Sequence, residues 1–353
     1  MTVSSKEDGP IGVGVAGLGR SGWDIHISAM RPMQDKFRIA AVLDNLEDRR
    51  NQAAGEFGCA TCEKYEDLLA DENVDLVVVA MPTDLHVPWA IKALEAGKDV
   101  VVEKPVSRDL AECDRLIAAE AGSERSVTVF QNRRYEATFR KIREIVEGGV
   151  LGRVNFLRYS GMAYRRRWDW QTVKELGGGT LRNTGIHILD QLMEFSGETE
   201  PEVFCRMDNV LSSGDADDWV QLIVTAPDAP TMEIDLFSNC TYPQNGWMVL
   251  GNKGSLVTGK GAVRWKVVKD FDNLPPRELD LAPTADRSYN SEKLEFEEFE
   301  WSPEASERPR PMAALFYDDV FANLRDGAPQ AITLQSVRRR MAVIEECLTR
   351  SSA

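Results

Sequence analysis

The apolar run Ile11–Ala16 ends directly on Gly17-Leu18-Gly19-Arg20-Ser21-Gly22. A strand that stops on three spaced glycines and gives way to helical spacing leaves little freedom in the fold. The first glycine permits the tight turn and the second lets a pyrophosphate approach the backbone. The third lets the helix pack against the strand, and the helix N-terminus favours an anion. Such a motif gains weight when an acid follows the next strand. Here that acid is Asp44, at the end of Phe37–Leu43. Its carboxylate accepts hydrogen bonds from ribose hydroxyls and repels a 2′-phosphate, which favours NAD over NADP. Arg20 and Arg49 keep NADP as the lesser option.

Up to residue 131 the chain alternates strand-length runs (Phe37–Leu43, Val74–Ala80, Asp99–Glu103, Ser126–Gln131) with helical patterns (Leu46–Phe57, Leu85–Ala96, Asp109–Ala121). The continuous apolar run Leu76–Val79 suits a strand covered on both faces. These units imply a doubly wound parallel sheet, a Rossmann domain over residues 1–131.

Beyond it the pattern changes. A helix at Glu136–Glu147 and a strand at Val154–Ser160 precede a glycine-rich helix start at 177–195. Strand-length segments then recur without long helices: Val203–Leu211, Trp219–Thr225, Met232–Ser238, Trp247–Leu250, Ser255–Thr258 and Ala262–Val268. The expected second domain, 132–353, is α+β with a large, mostly antiparallel open sheet. Residues 271–310 read as a long polar excursion, and two helices, Ala313–Leu324 and Leu334–Leu348, close the chain.

A net charge of −15 repels phosphate backbones and anionic lipid, so neither nucleic acid nor a membrane is an expected partner. No stretch reaches the roughly 20 apolar residues of a membrane span, and Met1–Pro10 lacks an apolar signal core, so the expected location is cytoplasmic. The six cysteines are scattered apart from Cys59 and Cys62, and no metal site is expected from that single pair.

Two further features carry chemistry. Glu103-Lys104-Pro105 closes the strand that starts at Asp99, where ligands of open α/β sheets sit. Lys104 is either a proton donor or acceptor in the cleft or a solvated surface lysine. In Gly177-Gly178-Gly179-Thr180-Leu181-Arg182-Asn183-Thr184-Gly185-Ile186-His187, Asn183 and His187 are spaced to share a helix face. Asp190 is placed to hydrogen-bond the imidazole, and the glycines to admit a ligand to the backbone. His187 is either an acid–base group or a structural histidine.

Together with Met81-Pro82-Thr83-Asp84-Leu85-His86, Ala96-Gly97-Lys98 and the closing helices, these motifs resemble the glucose–fructose oxidoreductase / inositol dehydrogenase (Gfo/Idh/MocA) family over nearly the whole chain. The resemblance implies that Lys104 stands beside the nicotinamide and the reacting carbinol, on a cis peptide bond to Pro105. It implies that His187 is the general acid–base residue. The second domain's sheet is expected to form a homo-oligomer, a dimer or tetramer. Family members commonly carry aspartate where this chain has Asn183, and some branches carry asparagine.

The cofactor set expected from motif and resemblance is Gly17, Leu18, Gly19, Arg20, Ser21, Gly22, Asp44, Met81, Pro82, Thr83, His86, Glu103, Lys104, Asn132 and Trp168. His86 and Thr83 line the cleft or serve as a local cap, and Gln131, Asn132 and Arg134 are placed to reach the nicotinamide half. In the loop Arg165–Trp170, Trp168 covers the nicotinamide by resemblance, while the arginines bind a substrate anion or are solvated. Expected substrate contacts are Lys104, Arg166, Trp170, Asn183 and His187, and His26 packs at the first helix. The expected function is NAD(P)-dependent oxidation or reduction of a secondary alcohol or ketone in a sugar, polyol or sugar derivative. Two alternatives stay open: a redox-assisted sugar lyase or glycosidase that recycles NAD, and a non-enzymatic dinucleotide-binding regulator.

Overall fold

The computed structural model describes residues 9–350 apart from 198, 245, 283–284, 286 and 304–309. Its first sheet has six parallel strands: β1 (Ile11–Ala16), β2 (Phe37–Leu43), β3 (Ala60–Cys62), β4 (Leu76–Val79), β5 (Asp99–Val102) and β6 (Val127–Val129). They lie in the order β3-β2-β1-β4-β5-β6. The order reverses between β1 and β4, and the carboxyl end of that junction is where an open α/β sheet binds its ligand. The connecting helices are α1 (Ser28–Met30), α2 (Glu47–Phe57), α3 (Tyr65–Ala70), α4 (Thr83–Glu95) and α5 (Leu110–Ala121). Every residue of β1, β4 and β5 is buried, as expected for strands packed on both faces.

Helix α6 (Ala137–Glu147) leads to a second sheet of eight strands. These are β7 (Val154–Met162), β8 (Glu202–Asp208), β9 (Trp219–Thr225), β10 (Thr231–Phe237), β11 (Trp247–Gly251), β12 (Gly254–Gly259), β13 (Ala262–Val268) and β14 (Phe296–Trp301). All neighbours are antiparallel except β7 and β10. Val220, Leu222 and Val224 of β9 are buried while their alternating neighbours are half-exposed, so one face meets the core. Between β7 and β8 runs α7 (Ile186–Leu192), every residue of which is buried. The closing helices are α8 (Met312–Asp326) and α9 (Leu334–Arg350).

The polar excursion at 271–310 contains β14, whose backbone ladder to β13 holds an edge strand with almost no buried face. β3 and α3 lie between the expected helix Leu46–Phe57 and the expected strand Val74–Ala80, where no element was expected. Among the described residues no helix is long and apolar enough to cross a membrane.

Candidate active site

Gly17 has φ +96°, and a Cβ there would lie 2.4 Å from the carbonyl oxygen of Ala80. At Gly22 a Cβ would meet the Gly17 carbonyl oxygen at 1.8 Å, whereas beside Gly19 nothing lies within 4 Å. Two glycines are thus demanded by protein packing, and the third faces open space, as a pyrophosphate cradle requires. The loop enters a π-helical turn, Ser21–Ile27, ahead of α1. Asp44 stands behind the loop: Oδ2 accepts the Leu18 N–H at 2.8 Å, and Oδ1 accepts the Leu46 N–H at 2.9 Å. Arg49 Nη1 lies 3.4 Å from Asp44 Oδ2.

Glu103 ties this loop to the lysine. Its Oε1 accepts from the Ser21 hydroxyl and lies 3.2 Å from His26 Nε2. Its Oε2 accepts the Lys104 N–H at 3.0 Å. His26 Nδ1 is in turn 2.7 Å from the Tyr317 hydroxyl on α8, and both side chains are fully buried. Burial alone would raise the Glu103 carboxyl, but the bonds and charge of His26, the Ser21 hydroxyl and the Lys104 charge outweigh it and hold it at about 2. Glu103 is a buried anionic tie between loop, lysine and closing helix.

The Lys104–Pro105 peptide is cis. Lys104 Nζ donates to the backbone carbonyl of Asn183 at 3.0 Å and lies 3.4 Å from its side-chain Oδ1. Burial lowers the ammonium pKa, opposed by Glu103 and assisted by Arg133 and Arg20. His187 is buried at the start of α7, and its Nδ1 has no hydrogen-bond partner among the described residues. Burial, then the charges of Lys104 and Arg133, hold its pKa well below 6.5 against the pull of Glu103, so the ring is neutral near pH 7.

Asn183 is held by a residue that sequence reasoning missed. Its Nδ2 donates to Gln171 Oε1 at 3.0 Å, and Gln171 Nε2 donates back to its Oδ1 at 3.3 Å. The glycine run makes this pairing possible. A Cβ on Gly178 would meet the Gln171 carbonyl oxygen at 2.5 Å, and one on Gly179 would meet Asp217 Oδ1 at 2.2 Å. Gly178 thus admits the Gln171 backbone and Gly179 the Asp217 carboxylate, while a Cβ on Gly177 would meet nothing within 4 Å. Asn183 itself lies in a π-helical turn, Leu181–Gly185, that precedes α7.

Several expectations are corrected. Asp190 does not bond the imidazole: it takes Arg134 Nε and Nη2, both at 2.7 Å, with Arg340 Nε at 3.2 Å. Arg134 is thereby drawn into a buried ionic cluster with Asp190 and Glu194. His86 is buried with its ring nitrogens 2.7 Å from the Pro105 carbonyl and 2.8 Å from that of Met81, so it braces the wall of the cleft and offers no free nitrogen to a cofactor. Thr83 opens α4. Trp168 and Trp170 stand 80% and 59% exposed, and Arg166 is exposed beside them. A small surface pocket is lined by Asn183, Arg165, Arg167 and Gln171, and not by Arg166 or the tryptophans.

A glycine loop at the switch point of a parallel sheet, with a lysine at the next strand end met by a helix from a second sheet, defines a Rossmann-type dinucleotide-binding architecture of the oxidoreductases. The chain belongs to the Gfo/Idh/MocA family. Residues 11–131 match the oxidoreductase family with NAD-binding Rossmann fold, and residues 139–257 match the GFO/IDH/MocA C-terminal domain. It is 33% identical over 202 residues to the myo-inositol 2-dehydrogenase of Thermotoga maritima, covering 54% of this chain and 57% of that enzyme. The chain spans about half the length of several of the curated relatives it matches. With the oxidoreductase YhhX of Escherichia coli it is 25% identical over 348 residues, 95% of each chain. The structure of an NAD-binding protein from Listeria innocua superposes with a TM-score of 0.79 at 25% identity, over 98% of both chains.

Proposed function

We propose that this protein is an NAD-dependent dehydrogenase or reductase acting on a secondary alcohol or ketone of a sugar, polyol or sugar derivative. The observation that carries the reading is the meeting of Lys104 Nζ with Asn183 at the carboxyl end of β5, with the neutral His187 on the next helix. The bare cradle at Gly19 and the Asp44 carboxylate behind it fit a dinucleotide, and the negative charge of Asp44 favours NAD over NADP. When bound, the nicotinamide supplies the hydride acceptor or donor.

This chain's own groups supply the rest. The Lys104 ammonium holds the substrate oxygen by hydrogen bonding. The imidazole of His187 takes the hydroxyl proton in oxidation and returns it in reduction. Positioned proton transfer of this kind contributes roughly 10²–10⁴-fold. The Gln171–Asn183 amide pair fixes the oxygen that faces Lys104. The myo-inositol activity of the Thermotoga relative supports a polyol-like substrate. The exposed Phe204 and Leu250, on the outer face of the eight-stranded sheet, support assembly through that sheet.

A panel of polyols, sugars and sugar acids scored by reduced-nicotinamide absorbance tests the proposal. NADH formed with at least one of them is the expected result. Product formed from a sugar derivative with no net NADH would replace it with a redox-assisted elimination.

A further inference from the structure

We infer, on the dehydrogenase reading of the site, that Gln171 is a positioning residue for Lys104: through the Asn183 amide it holds an acceptor oxygen on the ammonium that the lysine turns to the substrate. Gln171 lies on a 3₁₀ turn, Trp170–Thr172, and its backbone is fixed on both sides. Its N–H donates to Asp169 Oδ1 at 2.9 Å, and its carbonyl accepts the Gly179 N–H at 2.9 Å. Asp169 is itself clamped by Arg167, with Nε to Oδ2 at 3.0 Å and Nη2 to Oδ1 at 2.9 Å. The half-buried side chain thus reaches Asn183 from a set position.

An ammonium donates and never accepts, so Asn183 serves Lys104 with an oxygen and must place its Nδ2 elsewhere. Gln171 Oε1 takes that Nδ2 at 3.0 Å, and Gln171 Nε2 returns a bond to Oδ1 at 3.3 Å. Among the described residues the Asn183 side-chain amide bonds only Gln171 and Lys104, whose Nζ lies 3.4 Å from Oδ1. Two reciprocal bonds hold the amide in one plane; without them it is free to rotate off the lysine. With the Asn183 backbone carbonyl at 3.0 Å as its other acceptor, Nζ keeps a third N–H for a substrate oxygen. The charges that face Lys104 come from several elements. Burial disfavours the ammonium, Glu103 beside it supports it, and Arg133 after β6 and Arg20 of the glycine loop oppose it, while His187 on α7 is neutral. In that setting the two neutral acceptors of Asn183 weigh on the proton, and Gln171 secures one of them.

Titration of the whole protein carrying lysine labelled with ¹³C at Cε tests this without a substrate, the Lys104 signal being assigned from Lys104→Arg. Gln171→Leu is expected to lower the Lys104 midpoint by roughly a few tenths of a unit. Gln171→Glu accepts Nδ2 and adds a negative charge one amide away, so it should raise the midpoint by about half a unit or more. In an Asn183→Ala background, Gln171→Leu should shift it no further. On a substrate found in the panel, Gln171→Leu should lower kcat roughly tenfold, the order of one hydrogen-bond pair, with NAD affinity within a few-fold of wild type. A Lys104 midpoint unmoved by Gln171→Leu, leucine and glutamate variants shifting it in the same direction, or an undiminished shift in the Asn183→Ala background overturns the inference. Wild-type protein that turns over nothing in the panel overturns the dehydrogenase reading, while the midpoints still decide whether Gln171 acts on Lys104.

Discussion

Lys104 Nζ donates to the backbone carbonyl of Asn183 at 3.0 Å and lies 3.4 Å from the Asn183 side-chain oxygen, so the ammonium is held by neutral acceptors alone at that end. Asn183→Asp would place a carboxylate there and stabilise the charged lysine. The alkaline limb of the pH–rate profile, where Lys104 loses its proton, should move upward by about a unit or more. A pH series on both proteins checks it.

His187 works in the opposite sense. Burial and the nearby Lys104 and Arg133 depress its pKa below 6.5, so it remains a neutral base into mildly acidic solution and the acid limb of kcat should fall below that value. The unfolded chain protonates this histidine first, so the stability it contributes is full above about pH 6.5 and is lost as pH falls toward the folded pKa. His187→Gln should abolish turnover and flatten that part of the stability–pH curve, which denaturant titrations at several pH values would read.

The glycine loop separates folding from binding. Gly22→Ala drives a Cβ to 1.8 Å from the Gly17 carbonyl oxygen and should unfold the loop. Gly19→Ala meets nothing within 4 Å, so it should melt within a few degrees of wild type while losing NAD affinity. Calorimetric melting combined with NAD titration distinguishes the two.

The Arg134–Asp190 pair, with both N–O distances at 2.7 Å, is buried between the turn after β6 and α7. Removing one partner by Asp190→Asn leaves buried cationic arginines under-compensated. A loss of about 3–5 kcal/mol in urea unfolding is expected.

Tyr317→Phe deletes the hydroxyl on His26 Nδ1 and leaves a buried ring nitrogen unpaired, at a cost of about 1–3 kcal/mol. Because His26 also holds Glu103, NAD affinity should weaken in the same variant. Unchanged affinity in a titration would detach α8 from the cofactor loop.

Strands β1, β2, β9 and β13 begin and end where their apolar patterns do, and the glycine loop was legible because its spacing is a local requirement. β14 escaped because an edge strand held by its ladder needs no apolar stripe, and its glutamates read as loop. β3 is three residues long, too short for any period. The missed link joins distant partners: His26, expected to pack at the first helix, reaches Tyr317 across 291 residues, and no local pattern marks such a pair. Asp190 was misassigned for a related reason. Three residues from His187, it is near in sequence, yet two buried guanidiniums compete for it and prevail. Gln171 reaches Asn183 across a glycine run whose close packing only the folded chain reveals.

In the proposed function Lys104 acts in hydride transfer at a dinucleotide site. Lys104→Ala, compared with wild type for NAD affinity and for NADH formation on a substrate found in the panel, tests it most directly. NAD binding within a few-fold of wild type and no detectable NADH are expected. Turnover undiminished in that variant would contradict it.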